Sequence, residues 1–347
     1  MCKFIEGNPV DTLAIAWSNL TSIPVLIFLL AIVASRISES VRLPDSIYQG
    51  IAIFLLLGIG LKGGHAIKVA DHSDVIGPAL GALALGIVIP FLAYWLLTAT
   101  RRFNQSDRGS LAAHYGSTSL VTFTAGLVML ESIGMFVEPF VAALLAIMEI
   151  PGIIVGVYLG TRGTRSARAR GAGGRASGLQ STRETFKEIF FGKTVFLLIA
   201  GLVVGFVAPE ASYEKVEPFF VALQPGILAL FLLQLGVMVG SRLESLRDGG
   251  WWLPVFAVVM PVIGGTLGAF TGAALGMSAG GATMLAVLAA SASYIAAPAA
   301  VSLAMPNANL SISLSASLGM TFPFNLIVGL PLYLALATWF TGMFGGA

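Results

Sequence analysis

The chain has 347 residues, 56% of them hydrophobic and only 10% charged, with a formal net charge of +2 and a mean hydropathy of +0.90. Soluble domains carry roughly 25% charged residues, so this composition excludes a large soluble domain, and charge this sparse argues against a nucleic-acid partner. A single cysteine, Cys2, cannot form an internal disulfide; with no signal-like segment before it, it is expected to be a free thiol rather than a lipid anchor.

A helix crossing the hydrocarbon core needs about 20 apolar residues. Ten stretches fit in chain order: 20–35 with the turn before it, 48–64, 75–98, 110–130, 139–160, 190–208, 218–240, 251–275, 280–305 and 311–341. Lysine and arginine orient them. With an external N-terminus, the internal loops hold Arg36 and Arg42, then Arg101, Arg102 and Arg108, then eight basic residues from Arg162 to Lys193, then Arg242 and Arg247. Lys3, Lys62, Lys68 and Lys215 fall outside, with Glu131, Glu138, Glu210, Glu214 and Glu217. Both termini are therefore expected outside. The stretch 161–193 is rich in Arg, Gly and Ser and reads as a basic cytoplasmic linker, either a plain connector or a segment that docks anionic lipid or a cytosolic partner.

The chain repeats itself. A shift of 176 residues lays Gly50–Gly64 over Gly226–Gly240 and matches Gly50, Ile51, Leu56, Leu57, Gly60 and Gly64 with Gly226, Ile227, Leu232, Leu233, Gly236 and Gly240. Pro78 falls on Pro254. With small drifts Ser117 and Ser119 fall on Ser291 and Ser293, and Met148 and Pro151 on Met320 and Pro323. Five spans per half is an odd number, so the second half begins on the opposite side of the membrane. An inverted repeat of that kind is associated with alternating-access transporters.

Spans four and nine are polar for bilayer depth. The fourth carries Gly116, Ser117, Thr118, Ser119, Thr122 and Thr124; the ninth carries Ser291, Ser293, Tyr294 and Pro298. Transmembrane hydroxyls often only bond back to their own helix. Two equivalent Ser-x-Ser clusters beside Gly and Pro point instead to broken helices. A break exposes the N-terminus of the second half-helix, with unpaired N–H groups and about half a positive charge. Ser caps such an end and Pro suits its first turn. Two such ends meeting at mid-membrane would hold a small anion without lysine or arginine. Glu149, in Met148-Glu149-Ile150-Pro151, is the acidic residue inside a span, and a carboxylate there is a functional candidate by default: a cation ligand, a proton carrier or a structural group. Thr321 is its repeat equivalent, Asn325 is a further polar candidate, and His114 reads as a packed or solvated histidine. The sequons at Asn19, Asn104 and Asn309 read as chance.

These residues resemble the bacterial sodium-dependent bicarbonate permease family along essentially the whole chain. The likeness is clearest in Gly60-Leu61-Lys62-Gly63-Gly64, Gly116-x-x-Ser119-x-x-Thr122, Glu131-x-x-Gly134 and Met148-Glu149-Ile150-Pro151, and it continues through Ser293-x-Ile295-x-x-Pro298 and Pro306-x-Ala308-Asn309. The resemblance implies an all-α integral membrane fold like that of sodium/proton antiporters. Its ten helices form an inverted 5+5 repeat in which helices four and nine are broken and cross. It implies a gate of helices 1, 2, 6 and 7 moving against a core of helices 3–5 and 8–10. It also implies a homotrimer in the bacterial inner membrane, regulated by a PII-like protein on the cytosolic face.

The expected divisions are 1–160 for the first repeat, 161–193 for the linker and 194–347 for the second repeat. Carried over by motif, the anion site lies around Gly116, Ser119, Thr122, Ser291 and Ser293, with Na+ near Glu149. Where the family pattern has an aspartate after Ser293, this chain has Tyr294, which removes one cation ligand. The expected function is uptake of a small anion, bicarbonate first, by sodium symport and without a cofactor. The alternatives are a proton-coupled organic-anion or cation carrier on the same fold, and a non-transporting receptor for a small anion. No enzyme motif stands out: there is no H-E-x-x-H and no plausible nucleophile–base pair.

Overall fold

The structure, a computed structural model, describes residues 12–38, 41–69, 72–170, 193–242 and 250–345. Every regular element among them is a helix. α1 (Thr12–Leu20) and α2 (Ile23–Ser35) form a pair bent by 56°. The bend falls where Pro24 opens the first turn of α2, a position that needs no N–H. α3 (Asp45–Val69), α4 (His72–Ala99), α5 (Gln105–Gly116), α6 (Leu120–Ser132) and α7 (Val141–Arg170) follow. Then come α8 (Lys193–Val207), α9 (Glu210–Phe220), α10 (Gln224–Arg242), α11 (Trp252–Ala274), α12 (Ala279–Ala290) and α13 (Ala296–Ala304). A last long helix, α14 (Leu310–Met343), closes the chain and contains two π-helical turns, Ser317–Thr321 and Asn325–Gly329, on either side of Pro323.

Six of these helices are long and apolar enough to cross a membrane, and the bent pair makes a seventh. The remaining expected spans, 110–130, 190–208 and 280–305, are not single long helices. The first and third are broken, as α5/α6 and α12/α13. The second is α8, whose preceding residues lie outside the described ones. α7 runs on to Arg170, into the stretch expected to be linker, because Ala and Arg are strong helix formers even without an apolar face. The rest of that linker, Cys2, Lys3 and Arg247 also lie outside the described residues.

The matched glycines show how the two halves pack. α3 lies against α8 so closely that a Cβ on Gly60 would stand 2.7 Å from Leu198 O and 2.8 Å from Gly201 Cα. One on Gly64 would stand 2.8 Å from Phe206 N. α10 lies against α2 in the same manner: a Cβ on Gly236 would meet Phe28 O at 2.5 Å, and one on Gly240 would meet Ile32 O at 2.7 Å. Gly50 and Gly226, the other matched pair, both face open space. Small residues let helix backbones approach and gain dispersion contact, which holds apolar helices together where no hydrophobic effect can. The same close glycine contact thus occurs twice, at α3 on α8 and at α10 on α2.

Charges group at one end of the bundle. Lys62 on α3 pairs with Glu131 on α6 at 2.7 Å, and His65 Nε2 lies 2.8 Å from Glu210. The Tyr213 ring stacks on His65 at 3.9 Å, and burial, then the carboxylates of Glu217 and Glu210, raise the pKa of its phenol. Lys68 donates to Ala208 O. Lys62, Lys68, Glu131, Glu210 and Glu217 among them are charges expected outside. Glu131-x-x-Gly134 is also a helix stop: Gly134 takes φ +68° and the Met135 N–H reaches back to Leu130 O. The three sequon asparagines have structural work. Asn104 caps α5, Asn309 caps α14, and buried Asn19 donates to Leu326 O at 2.6 Å.

Candidate functional site

α5 stops at Gly116, which has room for no side chain: a Cβ there would lie 2.7 Å from the Pro90 ring on α4 and 3.0 Å from Gly152 O on α7. Ser117 leaves the helix in an extended conformation (φ −91°, ψ 159°). Ser119 then caps α6, its Oγ accepting from Thr122 N at 3.3 Å and from Thr122 Oγ1 at 3.0 Å. The other break follows the same plan. α12 stops at Ala290, and Ser291 turns extended at φ −80°, ψ 163°. Ser293 Oγ accepts from Ala296 N at 3.3 Å and Ala297 N at 3.2 Å, with Pro298 in the first turn of α13.

The two breaks are tied to each other. Ser119 N donates to Ser291 Oγ at 2.9 Å, and Ser293 N donates to His114 O at 2.7 Å. Ser119 Oγ donates to the Tyr294 hydroxyl at 3.2 Å. All of Ser117, Thr118, Ser119, Thr122, Ser291, Ser293 and Tyr294 are buried. The N-terminal ends of α6 and α13 therefore converge in a dry place. The leading amides of each first turn have no intrahelical acceptor, and the two ends together bring about one unit of positive charge. Thr124 does not join them; its hydroxyl bonds back to Leu120 O.

Glu149 on α7 is 2% exposed, one turn before Gly152. Thr118 is the hydroxyl within reach of its carboxyl, and that hydroxyl also lies 3.3 Å from Leu145 O. Thr321 and Asn325 lie in the π-helical part of α14 and are committed to other partners. Thr321 accepts from Tyr115 at 2.6 Å and donates to Ala257 O; Asn325 donates to Ala290 O and accepts from Tyr333. None of these four hydrogen bonds involves Glu149. Among the described residues no three His, Cys, Asp or Glu side chains cluster as a metal site. Any cation here would rest on one carboxylate plus hydroxyl and carbonyl oxygens.

A cavity of about 330 Å³ opens near the α1–α2 bend, lined by Ser18 and Ser22, by Ala125, Met129 and Ser132 of α6, and by Leu326 of α14. Thr122, Ala125, Met129 and Ser132 share one face of α6 by helical spacing. The cavity thus runs along the face that begins at the capped end.

His114, read as packed or solvated, is fully buried, and its carbonyl accepts from Ser293 N at the second break, a tie that sequence reasoning missed. Gly152, unremarked in the sequence, is where α7 meets the first break. Its one signal was its place a turn after Glu149.

No curated protein matches this chain. The profile of the Na+-dependent bicarbonate transporter superfamily matches residues 24–338, a range that takes in both breaks, Glu149 and the repeated glycine motifs. Nearly the whole chain is covered, and the protein belongs to the Na+-dependent bicarbonate transporter superfamily.

Proposed function

We propose that the protein is a secondary transporter that takes up bicarbonate with Na+ by alternating access. The observation that carries this reading is the meeting of two half-helix N-termini, capped by Ser119 and Ser293 and bonded across the breaks. Backbone dipoles suit a monovalent oxyanion: they attract it without a fixed cation that would hold it too tightly to release. Gly116, Ser117, Thr118, Ser119, Thr122, Ser291, Ser293, Tyr294 and Pro298 form or support the anion site. Glu149 with Thr118 is the cation candidate, and Thr321 and Asn325 brace α14 nearby. Symport follows from energetics: carrying one negative charge into a cell at −100 mV costs about 2.3 kcal/mol, and one accompanying Na+ cancels that term.

The repeated glycine packing of α3 on α8 and α10 on α2 supports a ten-span inverted repeat. In that reading α1–α3 and α8–α10 form the gate, and α4–α7 with α11–α14 form the core. The cavity beside α6 is the outer approach to the site. Both termini then face outward across a bacterial inner membrane. The homotrimer and a cytosolic PII-like regulator rest on the family resemblance alone.

The test is uptake of labelled anions into proteoliposomes with and without an inward Na+ gradient. Bicarbonate should accumulate with the gradient and only equilibrate without it. Specific bicarbonate binding with no flux would make the protein a receptor. Flux driven by a proton gradient and indifferent to Na+ would favour the proton-coupled carrier.

A further inference from the structure

His114 is fully buried in α5, three residues before the break. Its Nδ1 lies 2.8 Å from Ser110 O. A carbonyl can only accept, so Nδ1 carries the proton and a neutral ring presents Nε2 as a bare acceptor. Nε2 is buried with no hydrogen-bond partner. The hydroxyl of Ser117, 1% exposed and three residues on, is likewise buried without one. Two unpaired polar groups on either side of the end of α5 are unusual, because a desolvated group without a partner is destabilising. The His114 carbonyl meanwhile receives the Ser293 N–H, so this residue's backbone is a direct tie between the two breaks.

Its electrostatic surroundings are sparse. α5 packs on α4, α7, α13 and α14. On α5 itself, Asp107 accepts from Asn309 N, Arg108 donates to Thr98 and lies over Tyr94 of α4, and Tyr115 bonds Thr321. α4 also carries His72 and Asp74 at its opposite end. α7 carries Glu149, Tyr158 and Arg162 among its described side chains. α13 has no titratable residue, and α14 has only Tyr333. Beside Ser110 the α5–α14 seam carries other hydroxyls: Ser110 Oγ lies 2.7 Å from Ser313 Oγ, and Ser317 Oγ donates to Ser313 O.

We propose that His114 is a proton-binding site linked to occupancy of the anion site. An N–H bond forms at Nε2 with a proton drawn from solvent when the anion settles between α6 and α13. The proton returns to solvent when the anion leaves. A buried imidazolium is unfavourable without a counter-charge, and the bound anion is that counter-charge. By reciprocity, the proton tightens the anion by the same factor that the anion tightens the proton. The inference rests on the transporter reading, but Na+ coupling at Glu149 does not depend on it.

The experiment is bicarbonate affinity of the full-length protein in nanodiscs from pH 6.5 to 9, with the bicarbonate ion concentration series held the same at each pH. One linked proton makes the dissociation constant rise as pH rises, approaching tenfold per unit where linkage is complete. His114→Asn keeps a donor for Ser110 O and removes the titrating nitrogen; its affinity should be flat with pH. His65→Gln with His72→Gln leaves His114 as the sole histidine and should keep the wild-type slope, a check that needs no change at position 114. A flat wild-type profile, a wild-type slope in His114→Asn, or loss of the slope in the double variant each overturns the proposal. If wild type transports bicarbonate with pH-independent affinity, only the proton link fails. If it binds no bicarbonate at any pH, the transporter reading falls and the link falls with it.

Discussion

Gly152→Ala tests whether the first break is held by helix contact. Gly152 stands one turn after Glu149 on α7, and its Cα faces the end of α5. A methyl there would overlap the Gly116 carbonyl and lie 2.7 Å from Ser117 N. Restoring the latter contact alone to 3.4 Å requires about 0.7 Å of movement, and misplacement near 1 Å costs on the order of 100-fold in a positioned site. Overpacking costs about 1–3 kcal/mol in stability, and replacing a helical glycine by alanine returns up to about 1 kcal/mol. The net stability loss is therefore roughly 0–3 kcal/mol, while uptake should fall about 10- to 100-fold. Gly50→Ala is the control: nothing lies within 4 Å of its Cβ, so it should transport normally and melt no lower than wild type. The assays are Na+-driven bicarbonate uptake in proteoliposomes and thermal unfolding in detergent. A Gly152→Ala protein with wild-type uptake would show that α7 does not position the break.

Three further outcomes follow from the same geometry. Ser119→Ala and Ser293→Ala each remove a cap as well as a neighbour of the anion, and should weaken bicarbonate binding by about 1–2 kcal/mol in calorimetry; unchanged affinity would reduce both serines to helix caps. Glu149→Gln should abolish uphill uptake yet leave anion binding measurable, because the helix ends remain; retained Na+-driven accumulation would remove Glu149 from coupling. Tyr294→Asp should steepen the Na+ dependence of uptake, since a phenol is neutral at ordinary pH and a poor substitute for a carboxylate ligand, and an unaltered Na+ curve would show that the tyrosine is a neutral departure.

Much of the helical plan was legible because apolar length and glycine spacing are local signals. The matched glycines 60, 64, 236 and 240 pack backbone to backbone, as a shared motif in two halves suggests. The limits of α5, α6, α12 and α13 were legible too, since Ser117, Ser119, Ser291, Ser293 and Pro298 are end-of-helix residues inside apolar spans, where broken helices were expected. The π turns of α14 were not. Ser317–Thr321 and Asn325–Gly329 flank Pro323, and a proline inside an apolar run signals a disturbed ladder without saying how the backbone rearranges.

The site was less legible than the fold for a physical reason. A residue type states what a side chain can bond, whereas the contact map decides what it does bond. Thr124 and Thr122 are two residues apart and chemically alike, yet one bonds its own helix at Leu120 O and the other joins Ser119 at the capped end. Thr321 and Asn325 read from the sequence as the repeat equivalent of Glu149 and a further polar candidate; in the fold Tyr115 and Tyr333 hydrogen-bond to them. Those tyrosines lie 206 and 8 residues away in sequence, and no local pattern predicts the longer of the two pairings. His114 shows the converse. In the sequence it is one histidine near a helix end, for which packing is the ordinary reading. In the fold its carbonyl bonds a residue of the other half, and its ring keeps one nitrogen unpaired. An unmet bond can be recognised only after every met bond is known, so the groups best placed for function in a buried polar site are the last that a sequence reveals.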